Sequence, residues 1–403
     1  MREIGFISLF SGAGGLDIGL ESAGLSCRYA SDIDIAAHAT LAENKRCNSR
    51  HLRNAIIEQA DVSLTKGRQL LETIGTIRGE VPLLVGGPPC QSWSSAGHQK
   101  GWLDPRGRLF DDFVRLANEL DVRWLVFENV RGLLTARGPD GVPGSALTLI
   151  RNKLLKAGFQ TQVALLNAAD FGVPQRRVRI VVFGYRIGDQ LSLPSPTHFK
   201  GDRDQPWVSM QAALSSITEL TEDEVIRPNA KLLKQLSALK PGSGVKSPGK
   251  AEATRPGGHW GYKQGAFIAD TNISARTVTA NQQQDWLIDP HFGIRRLCPR
   301  ECAALQTFPA DWNFVGKRTD QYRLIGNAVP PLLAQQIGTS LLQHIFRSGG
   351  EQRVSTVALT PLAPNLEAAV RYTAREEWRN GPSRRAAPDL RRYSDAGGAF
   401  AGR

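Results

Sequence analysis

The stretch IGFISLFSGAGGLD, residues 4–17, predicts a buried β-strand that leads through a glycine-rich turn into a helix. The apolar run Ile4–Phe10 is typical of a strand inside a parallel sheet, and Gly15–Ala23 has helical apolar spacing. Because glycine has no side chain, the turn Gly12–Gly15 lets a ligand approach the backbone at the carboxyl end of the strand. The spacing is not Gly-x-Gly-x-x-Gly, so a dinucleotide site and a tight turn without any ligand both stay open.

Short apolar runs alternate with helical patterns as far as Tyr185, which predicts an α/β fold with a parallel sheet. Further strands are predicted at Cys27–Ser31, Leu83–Val85, Trp124–Phe127, Thr161–Leu166 and Val178–Gly184. Further helices are predicted at Ile35–Glu43, Leu109–Leu120, Leu147–Ala157, Pro299–Gln306 and Pro331–Phe346. Between Gln190 and Asp289 the chain is rich in Pro, Gly, Ser and Lys, which is typical of loops.

These changes in composition and apolar pattern along the sequence predict four regions. Residues 1–189 would form the catalytic and cofactor-binding domain, and residues 190–290 a smaller, irregular domain. Residues 291–347 would return to the first domain. Residues 348–403 would be a basic, poorly ordered tail, with one amphipathic helix near Leu366–Arg379.

The charge balance indicates a polyanionic partner. The 403 residues carry a formal net charge of +12 and a sequence pI of about 9.7, so we expect nucleic acid first and an anionic membrane surface second. A generally basic proteome, or a basic tail without such a partner, is the plainer alternative. Five scattered cysteines, without Cys-x-x-Cys or His-x-x-x-His spacing, argue for a reducing cytoplasm and against a metal site. The N-terminus lacks a signal-peptide pattern, and no apolar stretch is long enough to span a bilayer.

Carboxylates follow two of the predicted strands. Asp32 ends the second strand, where a carboxylate can accept hydrogen bonds from a ribose diol. Its alternative role is an N-cap for the next helix, a role that Asp34 fits better. Asp61 and Val62 follow an irregular stretch and could contact an adenine. Together these positions predict a nucleoside cofactor without a pyrophosphate.

The segment LLVGGPPCQSWS, residues 83–94, is the most specific part of the chain. Two prolines fix the backbone before Cys90, so its thiol should be held in place at the end of a strand. A cysteine attacks as the thiolate and therefore needs nearby positive charge. Glu128 closes the strand Trp124–Phe127 at the same sheet edge, where burial would raise its pKa and suit it to donate a proton.

The run QRRVR at residues 175–179 opens the last strand of this region. On a strand Arg177 and Arg179 share one face, while Arg176 and Val178 lie on the other. Two guanidiniums at a sheet edge could stabilise a thiolate, a phosphate or a base carbonyl.

Six stretches, in order, resemble those of the C5-cytosine-specific DNA methyltransferase family of bacterial restriction-modification type. They are Phe10–Gly15, Gly87–Gln91, Glu128–Val130, Gln175–Arg179, Arg300–Pro309 and Gly326–Pro331. The resemblance covers nearly all of residues 4–345. It implies a Rossmann-like sheet of the S-adenosylmethionine-dependent methyltransferase type, with a smaller, irregular target recognition domain.

The family's mechanism implies a role for each of four catalytic residues. The target cytosine of double-stranded DNA is flipped into the pocket, and Cys90 adds to C6. Glu128 would hold N3 and the exocyclic amine, and C5 then takes the methyl group of S-adenosylmethionine. Arg179 would contact the base, and Arg177 would help the thiolate and the phosphates.

The resemblance also implies two sets of binding residues. The cofactor set is Phe10, Ser11, Gly12, Ala13, Gly14, Gly15, Asp32, Ile33, Asp61, Val62, Gly87, Asn327 and Val329. The DNA-binding set is Gln91, Ser94, Arg106, Lys263, Arg276 and Thr277. Family members commonly carry glutamate in place of Asp32, so the ribose contact would come from a shorter side chain.

The variable segment 191–289 would be the target recognition domain, and the loop Ser92–Arg108 a lid over DNA. Its basic and aromatic residues suited to phosphates and bases are Lys246, Lys250, Arg255, His259, Trp260, Tyr262 and Lys263. Arg276–Ala280 resembles the threonine-centred motif near that domain's end.

Three alternatives remain at this point. A related branch methylates cytosine in transfer RNA, although the long recognition segment favours DNA. A dinucleotide oxidoreductase would leave Cys90 and Asn327 unused, and a DNA-binding protein without catalysis would leave all catalytic positions unused. We expect a monomer in the bacterial cytoplasm, associated with the nucleoid through DNA, and a cognate restriction endonuclease that acts separately.

Overall fold

The computed structural model describes residues 3–47, 50–89, 109–186, 191–217, 219–246, 265–347 and 357–380, with side chains to residue 375 in the last range. Its main sheet has seven strands in the order β3-β2-β1-β4-β5-β7-β6. They are β1 Gly5–Leu9, β2 Ser26–Asp32, β3 Ile56–Gln59, β4 Leu83–Gly86, β5 Trp124–Val130, β6 Gln160–Asn167 and β7 Val178–Tyr185. The six predicted strands are confirmed, with ends shifted by at most three residues.

Both faces of this sheet are buried, because its strands carry apolar residues at successive positions. On β1, Phe6 lies in the apolar cluster of one face, whereas Ile7 and Leu9 lie in that of the other. On β5, Val126 lies in the first of these clusters and Phe127 in the second. Since successive side chains on a strand point to opposite faces, such runs require helices on both sides of the sheet.

Two helical layers supply that cover. The helices are α1 Gly15–Ser22, α2 Ile35–Arg46, α3 Gly67–Thr73, α4 Leu109–Glu119, α5 Ser145–Lys156, α6 Met210–Leu214, α7 Ala230–Ser237, α8 Pro299–Leu305, α9 Arg318–Asn327, α10 Pro331–Arg347 and α11 Pro364–Asn380. Helices α1, α2, α8, α9 and α10 contribute to the first apolar cluster, and α3, α4, α5 and α11 to the second. The C-terminal helices α8, α9 and α10 therefore pack on the main sheet together with α1 and α2.

Two features of the sheet differ from the prediction. Strand β7 runs antiparallel to both β5 and β6, so the sheet is mixed and not wholly parallel. The short strand β3 was not predicted, because only Ile56 and Ile57 in its four residues are apolar. Asp61 therefore follows a strand, and it lies at the same sheet edge as Asp32.

A second, four-stranded sheet has the order β11-β10-β9-β8. Its strands are β8 Ser243–Gly244, β9 Phe267–Ile268, β10 Trp286–Asp289 and β11 Gly293–Arg296. It has its own small core, in which Trp286 and Ile268 pack with Leu236 of α7. The hairpin β10–β11 crosses residue 290, so this sheet extends beyond the predicted domain end.

The prediction of a poorly ordered tail after Ser348 is wrong for residues 357–380. The N–H of Ala358 donates to Gln160 Oε1 at 3.0 Å, and Arg151 donates to the carbonyl of Thr360. The predicted helix near Leu366–Arg379 is confirmed as α11, and Leu366 is buried in the second apolar cluster. Apolar burial outweighs the tail's loop-like composition at this point.

Among the described helices, none combines the length and apolar character needed to cross a membrane.

Candidate active site

The glycine turn after β1 is tied to the next strand. The N–H of Ser11 donates to the Ser31 carbonyl at 3.0 Å, and the N–H of Gly12 donates to Asp32 Oδ2 at 2.9 Å. Phe10 has a φ of 57°, which is uncommon outside glycine and turns the chain sharply at the sheet edge. A Cβ added at Gly12 would meet nothing within 4 Å, so the backbone faces open space there.

Asp32 and Asp34 have different roles: one carboxylate caps helix α2, and the other is held beside the glycine turn. Asp34 is the N-cap of α2 and accepts from the N–H of Ala37 at 3.0 Å, which confirms the predicted assignment. Asp32 instead accepts from backbone N–H groups with both oxygens, through Gly12 and through Asp34 at 2.9 Å. Burial raises the pKa of Asp32 above its ordinary value. Its carboxylate is thus held at the mouth of the glycine turn.

The segment after α9 packs directly against the glycine turn. The carbonyl oxygen of Val329 would lie 2.2 Å from a Cβ added at Gly15, so only glycine allows this approach. Asn327 ends α9 with an exposed side chain, whereas Val329 is buried. Arg323, one turn earlier, donates to Asp34 at 2.6 Å and links α9 to α2.

The third carboxylate is held by its own turn. Asp61 Oδ1 accepts from the N–H and the hydroxyl of Ser63, at 2.9 and 2.7 Å. Val62 is buried, and its carbonyl accepts from Arg115 at 3.0 Å. Ile33, between Asp32 and Asp34, is 60% exposed and offers an apolar surface at the same edge.

Glu128, near the end of β5, is the buried acid of the site. Burial raises its pKa, and the nearby charges of Arg179 and, to a smaller extent, Arg177 oppose that rise. Nε of Arg179 lies 3.0 Å from Oε1 of Glu128, but its N–H is not aligned for a hydrogen bond. Oε1 therefore has no aligned hydrogen-bond partner among the described residues, and the Arg179 guanidinium is its close charged neighbour.

Glu128 lies against the segment that leads to Cys90. A Cβ at Gly87 would lie 3.1 Å from Glu128 Oε2, so the bare backbone there lets the carboxylate pack closely. Asn129 donates from Nδ2 to the Pro88 carbonyl at 3.2 Å. The strand ends that precede Cys90 and contain Glu128 are therefore joined directly.

Five predicted site residues lie outside the described residues: Cys90, Gln91, Ser94, Arg106 and Lys263. The same holds for Lys250, Arg255, His259, Trp260 and Tyr262 of the variable segment.

Arg177 makes its contacts inside the protein, and its predicted help to the thiolate and the phosphates stays a prediction. Its side chain is fully buried and donates to three backbone carbonyls, those of Val278 at 3.1 Å, Gly326 at 2.7 Å and Ala328 at 2.8 Å. Arg177 comes just before β7, so strand alternation does not set its direction. The positive charge of Arg177 nevertheless lowers the pKa of Glu128 by electrostatic attraction.

Arg276 and Thr277 also make contacts within the protein. The Arg276 guanidinium lies 4.2 Å from the centre of the Phe267 ring and 3.2 Å from Asp285 Oδ1. The Thr277 hydroxyl donates to the Arg176 carbonyl at 2.7 Å. DNA contact by these two residues stays a prediction.

Sequence reasoning missed three polar residues that organise the site. Asn129, Gln175 and Gln306 lie within motifs of the sequence, but the motifs alone did not predict a function for any of them. All three are buried, and buried polar side chains in a motif are a signal that hydrogen bonds to the backbone are needed. Within the part of the chain that the structure describes, no group of three or more His, Cys, Asp or Glu could hold a metal ion.

A comparison with protein families agrees with this geometry. The family model described as C-5 cytosine-specific DNA methylase matches residues 4–343. The chain belongs to this family. It is accordingly an enzyme, a DNA (cytosine-5) methyltransferase, and the predicted methyltransferase-type α/β fold is confirmed.

Relatives of this methyltransferase are similar over most of their length. It is 32% identical over 344 residues to the Type II methyltransferase M1.HphI of Haemophilus parahaemolyticus, covering 84% of this chain and 86% of the relative. It is 32% identical over 352 residues to the Type II methyltransferase M.Sau96I of Staphylococcus aureus, covering 85% and 77%. The Dnmt2 methyltransferase of S. pombe has a similar structure, with a TM-score of 0.59, 18% identity and coverage of 85% and 99%. That last likeness supports the fold alone.

Proposed function

We propose that this methyltransferase moves a methyl group from S-adenosylmethionine to C5 of a cytosine flipped out of duplex DNA, with Cys90 as the nucleophile. The observation that carries the proposal is Glu128. It is a buried carboxyl with a raised pKa and an oxygen without an aligned hydrogen-bond partner among the described residues, beside the strand end that leads to Cys90.

Glu128 fits the recognition of cytosine by its chemistry. A protonated carboxyl donates one hydrogen bond and accepts another, which matches the N3 acceptor and the exocyclic amine of the base. Protonation or hydrogen bonding at N3 withdraws electrons from the ring and makes C6 electrophilic. The raised pKa favours the protonated form of Glu128 that this role requires.

In the remaining steps, Cys90 adds to the base and is later released. Its thiolate forms a bond to C6, and the electron pair of the C5–C6 bond becomes available at C5. When bound, S-adenosylmethionine supplies the methyl group and leaves as S-adenosylhomocysteine. Loss of the C5 proton to a base and cleavage of the C6–sulfur bond then restore the ring and the thiolate.

The pocket beside Phe10 fits a nucleoside-type cofactor. Gly12 faces open space, and the Asp32 carboxylate is fixed by two backbone N–H groups, with lone pairs left for ribose hydroxyls. Asp61 and Val62 would contact the adenine side. Asn327 and Val329 would complete the wall from the chain's end.

The biological role would be protection of host DNA in a restriction-modification system. Relatives named Type II methyltransferases support this role, and the net charge of +12 suits a DNA substrate. We further propose that the enzyme acts as a monomer in the bacterial cytoplasm, with residues 190–290 as the target recognition domain and a separate cognate endonuclease.

A methyl-transfer assay with tritiated cofactor tests the proposal. Purified enzyme is incubated with unmethylated plasmid DNA or with transfer RNA, and we expect label in DNA alone. Label confined to transfer RNA would overturn the proposed substrate. Base-resolution sequencing of DNA from a methylation-free host that expresses the enzyme would then give the recognised site.

The nucleophile is tested with duplex DNA that carries 5-fluorocytosine at that site. Fluorine at C5 cannot leave as a proton does, so the enzyme should remain covalently attached and give a gel-stable complex. Cys90→Ser should abolish the complex, while Cys47→Ala, a change at an exposed cysteine, should keep it. A stable complex with Cys90→Ser would refute C6 attack by Cys90.

A further inference from the structure

Two fully buried glutamines meet between distant parts of the chain. Gln175 precedes β7, and Gln306 follows α8; both have 0% exposure. Nε2 of Gln175 donates to Oε1 of Gln306 at 2.9 Å and to the Leu305 carbonyl at 3.3 Å. A buried amide pair of this kind must satisfy its remaining polar atoms inside the protein.

The remaining atoms are satisfied by two different segments. The N–H of Val278, at the exit of the variable segment, donates to Gln175 Oε1 at 2.8 Å. Gln306 Nε2 donates to the carbonyls of Ile325 at 2.6 Å and Ala328 at 3.3 Å. The two side chains therefore form a continuous, one-directional chain of hydrogen bonds from Val278 to Ile325.

Each amide can take only one orientation in this chain. Rotating Gln306 would place an oxygen against two carbonyl oxygens, and rotating Gln175 would place two donors against each other at Val278. Because each amide is polarised by its neighbour, the hydrogen bonds strengthen one another in the buried setting.

Arg177 joins the same two segments in parallel. It holds the carbonyl of Val278 on one side and those of Gly326 and Ala328 on the other. The segments also touch directly, since a Cβ at Gly326 would lie 2.2 Å from the Thr279 carbonyl oxygen. A shift of one segment must therefore move the other or leave buried groups unpaired.

The two ends of this hydrogen-bond chain lie beside residues with two different predicted functions. Val278 is adjacent to Thr277 and Arg276, which we predicted to contact DNA. Ile325 is followed by Asn327 and Val329, which we predicted to line the cofactor pocket. We infer that Gln175 and Gln306 are positioning residues that couple the target recognition segment to the cofactor pocket. This inference rests on the proposed function.

Coupling of this kind is a linkage between two affinities. If DNA fixes the recognition segment, it must also fix the pocket wall through the glutamines, so DNA and cofactor product should each tighten binding of the other by the same factor. A factor of about 5 to 150 is the usual range for such coupling.

The test measures the dissociation constant of S-adenosylhomocysteine with and without a duplex that bears the site found by sequencing. In the wild-type enzyme the ratio of the two constants should exceed about 5. In Gln306→Met, which keeps the side-chain volume but removes the amide, the ratio should fall below the wild-type value, although the parallel link through Arg177 remains. Gln175→Met should do the same, and the double variant should lower the ratio no further, because both residues belong to one chain.

Gln160→Met is the matched control. Gln160 is also a buried glutamine, but its Oε1 accepts from Ala358, which belongs to the tail. This variant should lose thermal stability and keep the wild-type ratio. If Gln306→Met fails to fold, Gln175→Met and Gln160→Met give the same comparison.

The outcomes are distinct. A wild-type ratio near 1, or an unchanged ratio in folded Gln306→Met and Gln175→Met, would overturn the coupling while methyl transfer stands. A wild-type enzyme that binds neither S-adenosylhomocysteine nor DNA would overturn the proposed function itself, and this inference with it.

Discussion

Arg179 and Glu128 form a close but misaligned ion pair at the edge of the main sheet. Their atoms Nε and Oε1 lie 3.0 Å apart, although the register pairs Arg179 with Val130 and Glu128 with Val181 across β5 and β7. The two side chains are therefore diagonal neighbours on one face. Burial raises the pKa of Glu128, and the guanidinium limits that rise.

This relationship predicts how activity depends on pH. If the protonated carboxyl is the active form, the rate of methyl transfer falls as pH rises through the raised pKa of Glu128. Removing the opposing charge with Arg179→Gln raises that pKa further, so the alkaline limb of the single-turnover rate should move to higher pH. Arg179→Lys, which retains the charge, should leave the limb near its wild-type position. A limb that moves to lower pH in Arg179→Gln would contradict the assignment.

The contact between Gly15 and Val329 predicts a selective loss of cofactor affinity. In Gly15→Ala the new Cβ would lie 2.2 Å from the Val329 carbonyl oxygen, so the pocket wall must move. We expect overpacking to lower the free energy of unfolding by about 1–3 kcal/mol. The dissociation constant of S-adenosylhomocysteine, measured by calorimetry, should be larger than in the wild type.

Gly19→Ala is the control for that variant. It introduces a similar clash one turn further along the same helix, 2.3 Å from Cβ of Ala334 and from the Pro331 carbonyl oxygen, and does not touch Val329. It should lower stability and largely spare cofactor affinity. Equal loss of affinity in both variants would show that the α1–α10 contact as a whole, and not Val329, sets the pocket.

Asp17 predicts a pH-dependent stability. It is fully buried in α1, and desolvation raises its pKa from 3.8 to about 7, although the hydroxyls of Ser8 and Ser11 oppose the rise. Neither carboxyl oxygen makes a well-aligned hydrogen bond with a described residue. Because the folded state holds this proton more tightly, its stabilising effect is complete below about pH 4 and is lost as pH rises to about 7.

Asp17→Asn removes this titration. The free energy of unfolding of the wild-type protein, relative to this variant, should decrease by as much as about 4 kcal/mol between pH 4 and pH 7. Urea unfolding at several pH values measures it. A difference that stays constant, or that grows with pH, would contradict a buried carboxyl of raised pKa.

The docked tail predicts sensitivity at Leu366. Because Leu366 is 3% exposed in the second apolar cluster, Leu366→Ala should weaken docking of α11 by about 2–5 kcal/mol. Limited proteolysis should then cleave before α11 at lower protease concentration. Leu359→Ala, at a leucine of the same tail that is 39% exposed, should leave the cleavage pattern unchanged. Similar cleavage of the wild type and both variants would mean that α11 contributes little to this surface.

Local sequence patterns were sufficient to predict the features that depend on neighbouring residues. Strand positions followed from apolar runs, because both faces of a central strand must be buried. The N-cap at Asp34 followed from the preference of short carboxylates for that position. Glu128 followed in the same way, since a carboxylate that closes an apolar strand lies at the sheet edge and is partly buried there.

Features that depend on contacts between distant segments became visible in the folded protein alone. Strand β7 inserts antiparallel between β5 and β6, and no local pattern records the direction of a strand. Arg177 and Gln306 gave no sign in the sequence of their targets, because a buried polar side chain goes where unpaired backbone carbonyls lie. Those carbonyls belong to Val278, Ile325, Gly326 and Ala328, and they come together only when the chain's end returns to the first domain.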